Sequence, residues 1–261
     1  MWSNPTADQA LQLEACTSQE RLRRYRAVVG GHRERALQLY LVDAALASHF
    51  HAHLRMVEVI LREQFHRALT TAYGSRWYIS HATLLGGNGP SMLAAAKNSL
   101  GQAKWRNPGY VVAELMLGFW AGLLQTPSGG QHQQLWTDAL SGAFNARVEL
   151  PPWSRHDAML VCKRLTWARN RVNHCESVIF GFPQKGMVQR KQLRLPPAMI
   201  LADCRRVVSR FSSHLEDWMN ATTTLDDALT LPDVQQAWHH LCADPRILTP
   251  AQAPPRLWEV P

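Results

Sequence analysis

The sequence predicts an all-α fold, and three observations carry that reading. Apolar residues recur three and four positions apart through almost every segment, the period of a helix with one buried face. Prolines and capping residues stand where these segments begin, and glycine ends the longest of them. No pair of alternating runs flanks a tight turn of hairpin chemistry, and no internal repeat is present.

The elements follow in chain order. "TSQERLRRYRAVV" opens on a capping box from Thr17 to Glu20. The stretch from His32 to Gly74 contains no proline and no internal glycine, so it reads as one very long helix or two with a bend. "GPSMLAAAKNSLGQAKW" reads as a short helix after a glycine-rich loop. "NPGYVVAELMLGFWAGLL" starts at Pro108, a residue suited to a first helical turn, and is apolar nearly all round. That places it in the middle of a bundle. "GQHQQLWTDALSGAF" is the next helix. "PPWSRHDAMLVCKRLTWARNRVNH" begins with prolines and a Ser154 cap, and "PPAMILADCRRVVSRFSSHLEDWMNA" repeats the proline start. "LPDVQQAWHHL" is a last short helix before a proline-rich, loosely held tail. The expected organisation is one helical domain over roughly residues 15–220 and a small C-terminal appendage over 221–261, with a short helix and the tail.

Composition narrows the function classes. A hydrophobic fraction of 46% can fill a core. Lys and Arg number 28 against 20 Asp and Glu, a net charge of +8, and most of the excess is arginine. Arginine suits bidentate phosphate contacts, which favours a nucleic-acid partner, although a merely arginine-rich composition gives the same balance. The five cysteines are scattered and form no CxxC pair, so neither a disulfide framework nor a zinc motif is expected. A reducing cytoplasm is the expected compartment. "MWSNPTADQA" lacks the charged and apolar regions of a signal peptide. The longest apolar run is interrupted by Glu114 and is too short to span a bilayer, so no membrane partner is expected.

The chemistry concentrates in "WARNRVNHCE", residues 167–176, near the end of a helix. Residues four apart share a face, so Asn170 and His174 are neighbours. Arg169 and His174 are five apart, about 140° around an ideal helix, and do not meet on a straight one. A frayed last turn, the long arginine stem, or a second copy of the helix would bring guanidinium and imidazole to one phosphate. The residue types suit RNA cleavage without a metal. An imidazole can take the proton of a 2′-hydroxyl or protonate the leaving oxygen, and a guanidinium can stabilise charge on the phosphoryl oxygens. Spacing alone is weak support, because an Arg followed at similar distance by a His also occurs at Arg26 to His32 and Arg76 to His81. A basic, solvated helix end would look the same.

"RNRVNHCESVIF" resembles the motif of the Abi-like (abortive-infection) family, a branch of the HEPN superfamily of helical domains. The usual family form is close to "RNRIAHHEPIF". "LRMVEVILREQFHRAL" resembles the family's early helix, with Glu58 and Arg62 four apart, and "VVAELMLGFWAGLL" followed by "LWTDALSGAF" resembles its central block. In order, these cover most of residues 20–185. The resemblance implies a HEPN-like helical bundle and a metal-independent endoribonuclease, usually a homodimer, with no cofactor. It implies that Arg169 and His174 are catalytic, that Asn170 supports them, and that Glu176 is retained from the motif. It also implies a growth-arresting toxin or phage-defence effector, with an antitoxin or regulatory RNA as a possible further partner. Asn173, Cys175 and Ser177 depart from the pattern, which bears on the local helix end more than on the chemistry. A tyrosine that some related toxins carry two residues after the histidine is Glu176 here, so control through its modification is not expected. The competing expectation is a catalytically silent RNA-binding or scaffold module on the same fold.

Other features have a bland reading beside a functional one. His49 and His53 are four apart and could hold a metal, but no third ligand stands beside them. Glu58 and Arg62 suit a helix salt bridge, or Glu58 could orient Arg169. Trp105 is the candidate for stacking on a base. "RKQLRLP" and "DCRRVVSR" could track an RNA backbone or be solvated basic faces. Cys175 beside His174 reads as a bystander rather than a nucleophile.

Overall fold

A computed structural model describes residues 5–125, 131–184 and 190–254. The chain is all-α, as the periodicity predicts, with three short strands among the described residues. The helices in order are α1 (Ala7–Cys16), α2 (Gln19–Val28), α3 (Arg33–Tyr73), α4 (Trp77–Ser80), α5 (Gly89–Trp105), α6 (Pro108–Glu114), α7 (Leu117–Gly122), α8 (Gln131–Leu135), α9 (Ser141–Phe144), α10 (Arg155–Asn173), α11 (Pro197–Ser209), α12 (Ser213–Ala221), α13 (Thr224–Leu229) and α14 (Pro232–Cys242). The strands are β1 (Phe182–Pro183), β2 (Gln192–Leu195) and β3 (Ile247–Leu248). No described helix is long and apolar enough to cross a membrane.

The sequence expectation placed a domain boundary near residue 220. The described residues instead fall into two compact units, each assembled from distant segments. Residues up to 53, 167–202 and 222–254 form one, so the expected appendage is part of it. Residues 54–166 and 203–221 form the other.

The first unit is built on the early turns of α3. Leu37, Leu46 and Phe50 are buried there with Leu22, Tyr25 and Val28 of α2 and Val234, Ala237 and Leu241 of α14. The Tyr25 ring packs on Phe180 at 5.2 Å and Phe50 packs edge-on against Phe182 at 5.3 Å. β2 pairs antiparallel with β1, Phe182 opposite Leu195, and parallel with β3, Leu193 opposite Leu248. The sequence reading contained no strand here. Runs of two to four residues are too short for a period to show, and their hydrogen-bond partners are remote. Gly181 at the start of β1 has φ +70, and a Cβ there would lie 2.6 Å from the Leu195 carbonyl oxygen, so both backbone and space demand glycine.

The second unit carries the aromatic core. Phe65, Trp77, Phe119, Trp120, Phe144 and Trp153 are buried, with Trp77 and Trp120 at 6.0 Å and Phe65 and Phe144 at 5.5 Å. Two buried charges lie among them: Arg164 of α10 forms a fork on Asp203 of α11, at 2.6 and 2.8 Å.

Several local expectations are corrected. α3 is continuous for 41 residues and stops at Gly74, φ +85. The α2 cap is Ser18, whose hydroxyl accepts from the Arg21 N–H, while the Thr17 hydroxyl donates back to the Leu13 carbonyl. A full capping box occurs instead at Thr6 and Gln9, ahead of α1. Ser154 caps α10 as expected, its hydroxyl accepting from the Asp157 N–H at 3.2 Å. The apolar stretch from Pro108 is two helices, because Leu115 and Met116 are extended. A glutamate makes that break tolerable: Glu58 Oε1 accepts from the Leu117 N–H at 2.9 Å, and the Trp120 indole donates to the Leu115 carbonyl at 3.0 Å. α11 and α12 were expected as one helix; the Ser212 hydroxyl caps the second by accepting from the Leu215 N–H.

Candidate functional site

The motif lies at the end of α10, in the first unit. The His174 N–H donates to the Asn170 carbonyl, the Cys175 N–H to Val172, and the Glu176 N–H reaches back to Arg171 at 3.0 Å. Cys175 has φ +53. This is a Schellman closure with cysteine in the left-handed position that glycine usually takes. His174 is therefore the last residue before the chain turns away, and its side chain is exposed.

Three further contacts hold that turn. Arg171 Nε donates to the Ser177 carbonyl at 2.5 Å, and its Nη1 pairs with Glu176 at 2.5 Å. Arg21 Nη1 donates to the Cys175 carbonyl at 2.8 Å. Asp43, buried in α3, accepts from the Val178 and Ile179 N–H groups at 2.9 and 2.8 Å and from the Tyr25 hydroxyl. Burial pushes the Asp43 carboxyl up while these donors pull it back. Burial and then the Asp43 charge push the Tyr25 hydroxyl up, so tyrosine is the proton donor of the pair. Burial also lowers Arg171.

The result is a rigid helix end that presents Asn170 and His174 side by side, as their spacing predicts. Both line a cavity of about 130 Å³ with Trp167, Arg171, Glu176 and Phe182. Arg169 is not among the lining residues, but its Nη1 donates to Asn170 Oδ1 at 3.4 Å. A second cavity of about 330 Å³ opens beside Tyr25, Tyr40, Ser48, His51, Cys175 and Glu176. Glu176 borders both.

The remaining candidates have other surroundings. Glu58 and Arg62 belong to the second unit. Glu58 has a structural task there, the cap on α7. His53 is buried, with Nδ1 3.0 Å from the His49 carbonyl oxygen, and no group of three or more His, Cys, Asp or Glu side chains converges among the described residues. The Trp105 ring packs on Tyr78 at 5.0 Å. The basic runs are not wholly solvated: Arg194 and Arg210 are buried, the latter 4.3 Å over the Trp153 ring. Of the other Arg-to-His spacings, Arg26 pairs with Glu14, and the His81 ring packs on Tyr73 at 4.7 Å.

Asp43, Tyr25 and Arg171 are the residues that sequence reasoning did not single out. Asp43 left one trace, an isolated carboxylate in the apolar stretch "YLVDAALA". Comparison of the chain with protein-family models, curated proteins and solved structures returned no match.

Proposed function

We propose that the chain is a metal-independent endoribonuclease of the HEPN type, built around Arg169, Asn170 and His174. What supports the reading is the exposed Asn170–His174 pair on a helix end tied down from three sides. In this scheme an imidazole removes the 2′-hydroxyl proton, the 2′-oxygen attacks its own phosphorus, and the 5′-oxygen leaves with a proton. The products are a 2′,3′-cyclic phosphate and a 5′-hydroxyl. Asn170 orients the imidazole or binds a phosphoryl oxygen, and Arg169 stabilises the charge that develops there. Arg169 does not line the His174 cavity, so a homodimer would supply the guanidinium of one copy to the histidine of the other. The role that goes with this chemistry is a toxin or phage-defence effector of the cytoplasm, acting on RNA and restrained by an antitoxin or regulatory RNA.

A catalytically silent RNA-binding scaffold is the second reading, favoured by the separation of Arg169 from the His174 cavity in one chain. Total RNA incubated with the protein in EDTA separates the two. Cyclic-phosphate ends that vanish in both His174→Ala and Arg169→Ala support the enzyme. Cleavage that survives either change rejects the site, and RNA bound but uncut favours the scaffold.

A further inference from the structure

The largest concavity described in the first unit is lined by none of the motif's residues. It has a volume of about 560 Å³ and is bordered by Arg23 and Arg24 of α2, Phe180, Gln192 of β2, and Asp244 and Arg246 beyond α14. Ala27, Leu241 and Ile247 give it an apolar wall. That volume falls within the range of small-ligand sites, about 300–1,000 Å³.

Its charges do not balance. Arg246 is satisfied by a fork on Asp244, at 3.0 and 2.7 Å, which pulls that carboxyl down to about 2. Arg23 pairs with Glu20. Arg24 makes no hydrogen bond or ion pair among the described residues, and it faces the cavity. Behind the wall sits Arg194, 3% exposed. Among the described residues its guanidinium donates only to neutral oxygens: the Phe180 carbonyl at 3.0 Å, the Gly181 carbonyl at 3.5 Å and Gln192 Oε1 at 3.3 Å. A buried guanidinium without a carboxylate is costly, because desolvation is not offset by an opposite charge. Burial first, then the like charges of Arg24 and Arg171, lower Arg194 to about 10; Glu176 and Asp244 oppose this less strongly. Two guanidiniums therefore hold a positive potential over a concave, half-apolar space.

We propose that this cavity binds a nucleoside phosphate, its phosphate on Arg24 within the field of Arg194 and its base against Ala27, Leu241 and Ile247. A single anionic group answers both charges, which Asp244 offsets only in part because its carboxylate is already engaged by the Arg246 fork. The apolar wall calls for more than free phosphate, and a half-open cavity of about 560 Å³ has the size of a small ligand. Its lining shares no residue with the cavity at His174, so the proposal holds whether or not the chain cleaves RNA.

Isothermal titration of the full chain with ATP, pyrophosphate and a short 2′-O-methyl oligoribonucleotide tests it. ATP binds, more tightly than pyrophosphate, and Arg24→Ala weakens it at least about tenfold, while the exposed control Arg67→Ala does not. The Arg24 side chain is exposed, so its loss leaves the fold intact, which thermal unfolding verifies. Absent ATP binding, equal binding of ATP and pyrophosphate, affinity undiminished in Arg24→Ala, or binding of the oligonucleotide alone would each overturn the proposal.

Discussion

Arg171 and Glu176 form an ion pair at 2.5 Å across the turn that ends α10, and the same guanidinium donates to the Ser177 carbonyl. The motif thus divides its arginines. Arg171 fastens the loop that follows the helix, while Arg169 Nη1 donates to Asn170 Oδ1 at 3.4 Å. The two halves of the contact differ in exposure, 13% for Arg171 and 52% for Glu176. Arg171→Ala strands the half-buried Ser177 carbonyl and lowers stability by about 1–3 kcal/mol. Glu176→Gln, largely solvated, changes it by less than about 0.5 kcal/mol. Urea denaturation of the two variants checks the ranking; equal losses would reject it.

Much of this arrangement was legible in the sequence, and the remainder has physical reasons for being hidden. The helical character of α3 and its stop at Gly74 followed from the sequence, which left a bend open, and the Asn170–His174 pairing followed from a four-residue spacing. Both depend on neighbours within one helix. The break at Leu115–Met116 did not show, because the cap that permits it comes from Glu58 on another helix. Asp43 did not show either. Its partners, the Val178 and Ile179 N–H groups, lie 135 and 136 residues further on, and backbone donors carry no residue-type signature. The strand pairing of β2 with β1 and β3 was invisible for the same reason: it is made by tertiary proximity, with too few residues to display a period.

Cys175 holds a left-handed conformation, φ +53, that disfavours any residue with a Cβ by about 1–2 kcal/mol. Glycine removes that strain but loses more entropy on folding, by about 0.5–1 kcal/mol. Cys175→Gly is therefore expected to stabilise the chain by up to about 1 kcal/mol, read as a raised unfolding midpoint. Under the ribonuclease proposal the same variant keeps its RNA cleavage, since the thiol has no part in it. Loss of cleavage in a stabilised variant would reinstate the thiol as a participant.

The buried fork of Arg164 on Asp203 predicts an asymmetry between single and double changes. Both side chains are almost wholly enclosed, at 3% and 1% exposure. Asp203→Ala leaves a guanidinium buried without its partner and costs about 3–5 kcal/mol. Replacing both, Arg164→Met with Asp203→Leu, removes the unpaired charge and restores most of that loss. A double-mutant cycle in guanidinium chloride measures the coupling. Additive losses would show that the pair acts through packing alone.

His132 and His66 together predict how stability varies with pH. His132 is buried; its Nδ1 lies 2.9 Å from the Leu123 carbonyl oxygen, and its buried Nε2 has no hydrogen-bond partner among the described residues. Protonation would place a second N–H where no acceptor exists. His66 Nδ1 accepts from the Trp77 indole at 3.1 Å, a bond that protonation of that nitrogen would break. Burial lowers both imidazoles below the usual histidine range. The folded chain therefore binds fewer protons than the unfolded chain near neutrality, and stability rises with pH there. The stabilisation is complete above the unfolded value of about 6.5 and is lost as the pH falls from there to the lowered folded values. Each histidine contributes a slope of at most about 1.4 kcal/mol per pH unit. His132→Gln keeps a donor for the Leu123 carbonyl and no longer titrates, so its stability falls less steeply on acidification, and His66→Gln with His132→Gln less steeply still. Comparing slopes rather than absolute stabilities cancels the carboxylates, which are the same in every variant. Parallel slopes for the parent chain and the double variant between pH 7 and pH 5 would show that neither imidazole is held neutral by the fold.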